Sequence, residues 1–246
     1  LKILFSPSES KVSGGNDKIF SHDSFLFPEL YEKRCEVINA YNKFIETATN
    51  EQLAQLFGIN DNKLFENYKQ NLYLSSTMKS IERYNGVAYD YLKYTSLDQG
   101  AKNYIDRNTI IFSNLFGPIL AGNPHLPEYK LKQGEKIGDF AAEIFYKKYF
   151  SSALDSFLKD DDILDLRSSF YDKFYKPTSK YTTLKFIKDG KIISHWAKAY
   201  RGIVLRWLAI NNIQNINDFL KIQIDGLSLQ NIHNKKNHTE VVYSID

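Results

Sequence analysis

Four short stretches carry side chains whose types and spacing can do chemistry. In the first, Ser6-Pro7-Ser8-Glu9-Ser10-Lys11 sets three hydroxyls and a lysine directly after an apolar run. Loops at the C-terminal ends of strands line the ligand crevice of open α/β sheets. Hydroxyls and backbone amides there can hold an anion, with Lys11 as a point charge; the same residues also suit an ordinary polar turn. In the second, Asp165-Leu166-Arg167-Ser168 again follows an apolar run. Strand alternation puts Asp165 and Arg167 on one face, where they either pair with each other or pose a substrate. The third, Ser194-His195-Trp196-Ala197-Lys198 through Arg201-Gly202, offers His195 as the best-placed acid or base of the five histidines; a capping or core role suits it equally. In the fourth, Ile81 to Tyr89, a Gly86 turn sits between two helical patterns. It resembles a helix-hairpin-helix, in which amides near Gly86 and Val87 would face a phosphate, although Ala88 stands where such turns usually carry a second glycine. A plain helix–helix turn is the alternative.

The elements that must position these groups are legible in outline. Leu1 to Phe5 reads as a buried strand ended by Ser6-Pro7. Residues 8 to 26 read as a loop. A helix is expected from Pro28 to about Thr47, with Leu30, Val37, Ile38, Tyr41 and Ile45 on one side. Thr49 and Gln52 form a capping box for a short second helix. A third helical stretch is expected from about Leu64 to Arg83. Thr109 to Phe112 is a β-rich run, and 117 to 127 a Pro/Gly loop. Phe140 to Phe157 has helical spacing, and Ile163 to Leu166 is another buried strand. Tyr181 to Ile187 and Lys191 to Ser194 flank Asp189-Gly190, a hairpin signal. In Ala197 to Ile210, Tyr200, Ile203, Val204, Trp207 and Leu208 form a core-facing stripe, which would leave Lys198, Arg201 and Arg206 on a basic outer side. Asn217 is a possible cap for a short helix, 233 to 238 a solvated loop, and Val241 to Ile245 a last strand. The fold class is therefore α/β, a mixed sheet with surrounding helices, in one domain spanning 1–246.

Composition narrows the function classes. The 246 residues are 43% hydrophobic and 25% charged, ordinary for a globular chain. No apolar run is long enough to span a membrane, and the N-terminal apolar stretch is too short for a signal peptide; residue 1 is not Met. The single cysteine, Cys35, excludes an internal disulfide and a Cys-rich zinc site, fits a reducing cytoplasm, and reads as a small buried hydrophobe. Dinucleotide-binding, P-loop, serine-hydrolase and zinc-protease signatures are absent, so neither a cofactor nor a metal is expected. The net charge of +3 is weak, but residues 176 to 210 hold eight basic side chains against one acidic. Such asymmetry suggests a surface for anions.

Taken as an ordered set, these stretches resemble the YaaA-like peroxide-stress family. The resemblance is carried by Ile3 to Lys11, Tyr84-Asn85-Gly86-Val87-Ala88-Tyr89, Phe112 to Gly117, Tyr129-Lys130-Leu131, Leu164-Asp165-Leu166-Arg167-Ser168, and Ile193 to Lys198 with Arg201-Gly202. The first motif is similar to the family's Pro-Ser-Glu branch; the better-known branch has a lysine where Glu9 stands. Pro118-Ile119 replaces the family's Arg-Pro, and Lys130 replaces an arginine, losing its planar fork. The resemblance implies a compact α/β fold with a basic cleft and a helix-hairpin-helix-like element. It also implies a bacterial cytoplasmic protein that binds DNA in peroxide defence and limits iron-driven damage.

Two functions compete, and the first is the one favoured. In the first, double-stranded DNA is held by its phosphates, without base reading, through Ser6, Lys11, Gly86, Val87, Arg167, Lys185, Lys198, Arg201 and Arg206. In the second, the same cleft is the site of an enzyme for a nucleotide or other phosphate-bearing small molecule, with His195, Lys198, Asp165 and Ser168 as candidate catalytic groups. A closed pocket favours the second reading and a duplex-wide groove the first. A third, blander reading is a scaffold whose motifs only hold the fold.

Overall fold

A computed structural model describes residues 1–193 and 196–245. Ser194 and His195 therefore lie outside the described residues, and so does the acid/base role considered for His195. Among the described residues, the centre of the fold is a mixed sheet. Strand β1 (Lys2–Phe5) lies between β5 (Thr109–Ser113) and β8 (Ile163–Asp165), parallel to both. Beyond β8 come β9 (Tyr181–Lys188) and β12 (His238–Ile245), each parallel to its neighbour, and then the antiparallel edge strand β11 (Leu227–Asn234). On the other side β6 (Gly117–Leu120) closes the sheet antiparallel to β5. The short β10 (Lys191–Ile192) turns back on β9 through Asp189 and Gly190, both at positive φ, as the Asp-Gly signal requires.

The central strands are covered on both faces. Ile3, Leu4, Phe5, Ile110, Ile111, Phe112, Ile163 and Leu164 are all buried, the continuous apolar pattern of a parallel interior rather than an alternating one. The chain leaves β1, adds β5 on one side, and later returns to add β8 on the other. That reversal beside β1 is a topological switch point, where the loops after neighbouring strands part and leave a crevice.

The helices largely follow their apolar periodicity. Helix α1 (Tyr31–Thr47) buries Val37, Ile38, Tyr41 and Ile45, preceded by a turn that starts at Pro28. The Thr49/Gln52 capping box opens α2 (Asn50–Phe57), and α6 (Ala142–Leu158) matches the expected spacing. Helix α1 also buries Arg34, which donates to the carbonyls of Leu26, Phe116 and Pro118 and lies over the rings of Phe25 and Phe150. The cation is held by backbone carbonyls from the segment before α1, the turn after β5 and strand β6, so that buried polar groups on both sides find partners. Cys35, expected to be buried, is only half-buried.

Five expectations are corrected. Residues 64 to 83 do not form one helix: 3-10 turns at Asn62–Tyr68 and Leu72–Leu74 lead into β3 (Thr77–Met78) and the one-turn α3 (Ser80–Arg83). Arg83 is buried against the carbonyls of Val12, Ser76 and Leu126, so tertiary contacts outweigh the apolar spacing. The stretch 117 to 127 is not all loop, since it contains β6 and β7 (Leu126–Pro127), which pairs with β3. Residues 233 to 238 belong to the β11–β12 hairpin, where His238 shares a hydrogen bond with Thr183 Oγ1 (2.7 Å) and stacks on Tyr181. Asn215, not Asn217, caps α8 (Ile216–Phe219) by accepting from the Asp218 N–H. Finally, the basic side expected for α7 (Ala197–Ile210) is only partly open: Lys198 is exposed, while Arg201 and Arg206 are half-buried. The helix buries Gly202, Val204, Leu205 and Leu208, while Tyr200, Ile203 and Trp207 are half-buried. A second helix, α4 (Val87–Leu92), packs along it and covers part of the side expected to face solvent.

Candidate ligand-binding site

The loop after β1 and the loop after β8 leave the sheet side by side and on the same edge. The Ser168 N–H donates to Ser6 Oγ (3.0 Å), and the Leu166 N–H to the Leu4 carbonyl (2.9 Å), which ties the two loops together. Opposite them, β2 (Ser10–Lys11) pairs antiparallel with β4 (Tyr84–Asn85), and that pairing brings Gly86 against Ser8. Gly86 is at φ +125°, and a Cβ there would stand 2.8 Å from Ser8 Oγ, so the turn needs glycine. Helix α4 then starts at Val87 and is held to the first loop by Tyr89, whose hydroxyl donates to the Ser6 carbonyl (2.9 Å).

These elements enclose a cavity of about 390 Å³, within the ~300–1,000 Å³ usual for small-molecule sites. Ser6, Ser8 and Ser168 supply hydroxyls to its wall, and Gly86 and Val87 the start of α4. Lys198 and Arg201, one turn apart on α7, supply cations from one face. Arg201 forms no hydrogen bond or ion pair with a described residue. Burial lowers its pKa, and the charge of Asp165 partly offsets that effect.

The structure brings together Ser6, Gly86, Val87, Ser168, Lys198 and Arg201, and places Lys11, Asp165, Arg167, Lys185 and Arg206 outside the cavity wall; His195 lies outside the described residues. Asp165 and Arg167 are buried beneath the site and form a two-pronged pair, with Arg167 Nε 2.8 Å from Oδ1 and Nη2 2.6 Å from Oδ2. The Arg167 guanidinium also lies 4.2 Å from the centre of the Phe112 ring. Lys185 sits on β9 beside Glu240, at 3.5 Å. Arg206 points to the end of α4 and donates to the Leu92 and Lys93 carbonyls (3.0 and 3.2 Å). Around Gly86, the leading helix α3 is a single turn and is joined to the glycine through a strand. Among the described residues, no group of three or more His, Cys, Asp or Glu side chains is placed to hold a metal ion.

Lys11 lies behind the cavity wall rather than in it. Its Nζ donates to the Ser8 and Glu9 carbonyls (3.2 and 3.4 Å) and stands 3.9 Å from the centre of the Tyr129 ring. Beneath it, the hydroxyls of Tyr84, Tyr129 and Ser113 form a chain at 3.0 and 2.7 Å. Burial pushes the Lys11 pKa down to about 7; Lys130 and Arg83 lower it further, against the carboxylates of Glu9 and Glu128. The unfolded chain keeps that proton up to about pH 10.5. Between pH 7 and 10.5 the unfolded state therefore binds more protons, and stability climbs with pH. Measured against Lys11→Met, urea unfolding of the wild type should gain roughly 2 kcal/mol between pH 7 and 9, at 1.36 kcal/mol per pKa unit. A flat difference would show that Lys11 stays charged.

Sequence reasoning passed over Glu9 and Gln133, which also line the cavity. Glu9 lies within the first motif but has no chemical signature of its own. Gln133 comes from a polar segment with no pattern, and it reaches the site by folding alone.

The architecture is that of an α/β protein with a polar, cation-lined hollow at the switch point of its sheet. The chain belongs to the family of the peroxide stress protein YaaA, whose model matches residues 1–233. It is 46% identical over 245 residues to the uncharacterized protein Cj0984 of Campylobacter jejuni, covering 100% of this chain and 99% of that one. It is also similar to the UPF0246 protein Cgl1995/cg2186 of Corynebacterium glutamicum (31% identity, 95% of this chain and 96% of the relative). A third relative is the UPF0246 protein FN1762 of Fusobacterium nucleatum (27% identity, 96% and 97%). No helix among the described residues is long and apolar enough to cross a membrane.

Proposed function

We propose that this member of the peroxide-stress family binds a small phosphate-bearing molecule in the cavity between β1, β8, α4 and α7. One observation carries the reading. The hydroxyls of Ser6 and Ser168 and the cations of Lys198 and Arg201 open onto one small hollow, while Arg167, Lys185 and Arg206 are spent on protein partners. A half-buried guanidinium with no hydrogen bond or ion pair among the described residues favours an anion, because part of its desolvation has already been imposed on it. Ser6, Ser168 and Lys198 then orient the phosphate, and Val87, Leu166 and Tyr171 offer apolar surface to the rest of the molecule.

Duplex DNA is the second reading, favoured by the exposed lysines 176, 180, 188 and 191 outside the cavity. It calls for backbone contact without base reading, with a log–log salt slope of about −0.9 per neutralised phosphate.

Calorimetric titration with adenosine 5′-monophosphate and with ethyl phosphate separates the two. Arg201→Gln should weaken ester binding at least tenfold, since hydrogen bonds to charged groups contribute roughly 1.5–3 kcal/mol, and should leave the melting temperature and any duplex affinity unchanged. Unaltered ester affinity in that variant, or no saturable ester binding by the wild type, would count against the cavity; salt-dependent binding of a short duplex alone would favour the second reading.

A further inference from the structure

We propose that the cavity is a two-ended site for a phosphate ester that also carries a primary ammonium group, with Arg201 and Lys198 taking the phosphate and the Glu9 carboxylate taking the ammonium. The inference rests on the phosphate reading above and adds to it the chemical class of the ligand's other end.

Glu9 lines the same cavity as Lys198 and Arg201, yet no ion pair joins it to either of them among the described residues. Opposite charges thus stand on the wall of one hollow without an ion pair among the described residues, Glu9 and Lys198 at its exposed rim and Arg201 half-buried. A ligand with complementary charges can engage both signs at once. The Glu9 carboxylate is also held ready for such a partner. Its Oε1 accepts from the Gln133 N–H (3.0 Å), which fixes the head of the side chain. Its Oε2 has no hydrogen bond to a described residue, so one oxygen remains open to a donor.

The neighbouring lysines do not satisfy that carboxylate. Lys11 and Lys130 both direct their Nζ to the Glu9 backbone carbonyl, at 3.4 Å each, and neither pairs with its side chain. Their contacts fix the backbone of the rim and leave the negative charge facing the cavity. Around Lys11, burial favours the neutral amine, which reduces local compensation of Glu9 further. At the other end, Asp165 is the acid nearest in effect to Arg201, but both of its oxygens are engaged by Arg167. The cavity wall thus carries charges of both signs, and among the described residues Glu9 Oε2 and the Arg201 guanidinium have no hydrogen bond or ion pair.

The cavity volume also limits the ligand. About 390 Å³ is at the lower end for small-molecule sites and suits a compact ester whose two charged groups are only a few bonds apart.

The test compares two probes that differ only in the amine, phosphoethanolamine and ethyl phosphate, against the wild type and Glu9→Gln by calorimetry at pH 7. Glutamine keeps an acceptor for the Gln133 N–H, and position 9 is exposed, so the variant preserves the rim. The wild type should bind phosphoethanolamine about tenfold more tightly than ethyl phosphate, the low end for a charge-assisted contact. In Glu9→Gln the two probes should become equal, with ethyl phosphate bound at least as tightly as by the wild type because a like charge has left the cavity wall. Equal affinities in the wild type, or a preference that survives Glu9→Gln, would overturn the two-ended site and leave the phosphate reading intact. If neither probe binds the wild type, both readings fail.

Discussion

Gly202→Ala should lower the stability of the protein by about 2–3 kcal/mol, as overpacking typically does, and should abolish ester binding. Gly202 lies within α7 where the helix crosses α4. A Cβ there would penetrate the Ala88 carbonyl oxygen and stand 2.9 Å from its carbon and 3.1 Å from the Leu92 nitrogen. These are backbone atoms, so no side-chain rotation relieves the clash. Nor can α4 simply move away. Tyr89 ties it to the Ser6 carbonyl, and Arg206 ties its C-terminal end to α7. Alanine's helix advantage over glycine, roughly 1 kcal/mol, works in the opposite direction and is outweighed. Urea unfolding gives the first number and calorimetry with ethyl phosphate the second. A stabilised variant that binds normally would mean that the two helices are not in backbone contact.

Asp165→Ala should be more damaging still, with a loss of roughly 3–5 kcal/mol, the range for removing one partner of a buried pair. Arg167 is only 6% exposed. Without the carboxylate it keeps a 3.3 Å contact to the Tyr171 carbonyl and the face of Phe112, and its charge loses its principal compensation. Asp165→Leu combined with Arg167→Met should recover most of the loss, because the burial cost of both charges disappears with them. The pair of experiments assigns the motif. Recovery in the double variant, measured by urea unfolding, marks Asp165 and Arg167 as the buried support of the loop bearing Ser168. Failure to recover, or loss of ester binding from a fully stable double variant, would return them to the site.

The sequence made parts of this plan legible and hid others for physical reasons. Leu1 to Phe5, Thr109 to Phe112 and Ile163 to Leu166 were readable as strands because parallel interior strands are uniformly apolar. The positions just after two of them, Ser6 and Ser168, followed from sheet geometry and do meet. The Asp189-Gly190 turn and the Thr49 cap were legible because each is a local device with fixed chemistry. What remained hidden was tertiary. Nothing in the 62–83 stretch announces that Arg83 will be drawn into the interior by the distant carbonyls of Val12 and Leu126 together with that of Ser76. The helix from Ala197 is correctly placed, but its buried side is not the expected one, because α4, a six-residue element with little periodicity, packs on Gly202 and leaves Lys198 alone of the three cations exposed. Charge density along the chain had grouped Lys185 and Arg206 with Lys198 and Arg201, yet strand pairing and helix packing send the first two to other partners.

The cavity wall is drawn from residues 5–10, 86–89, 133, 166–171 and 198–201, segments far apart along the chain. No fragment can therefore assemble the pocket, and the unfolded polypeptide has nothing with which to retain its ligand. Occupancy is thus coupled to the cooperative melting of the whole molecule, so a panel of metabolites can be ranked by thermal shift before any reaction is known.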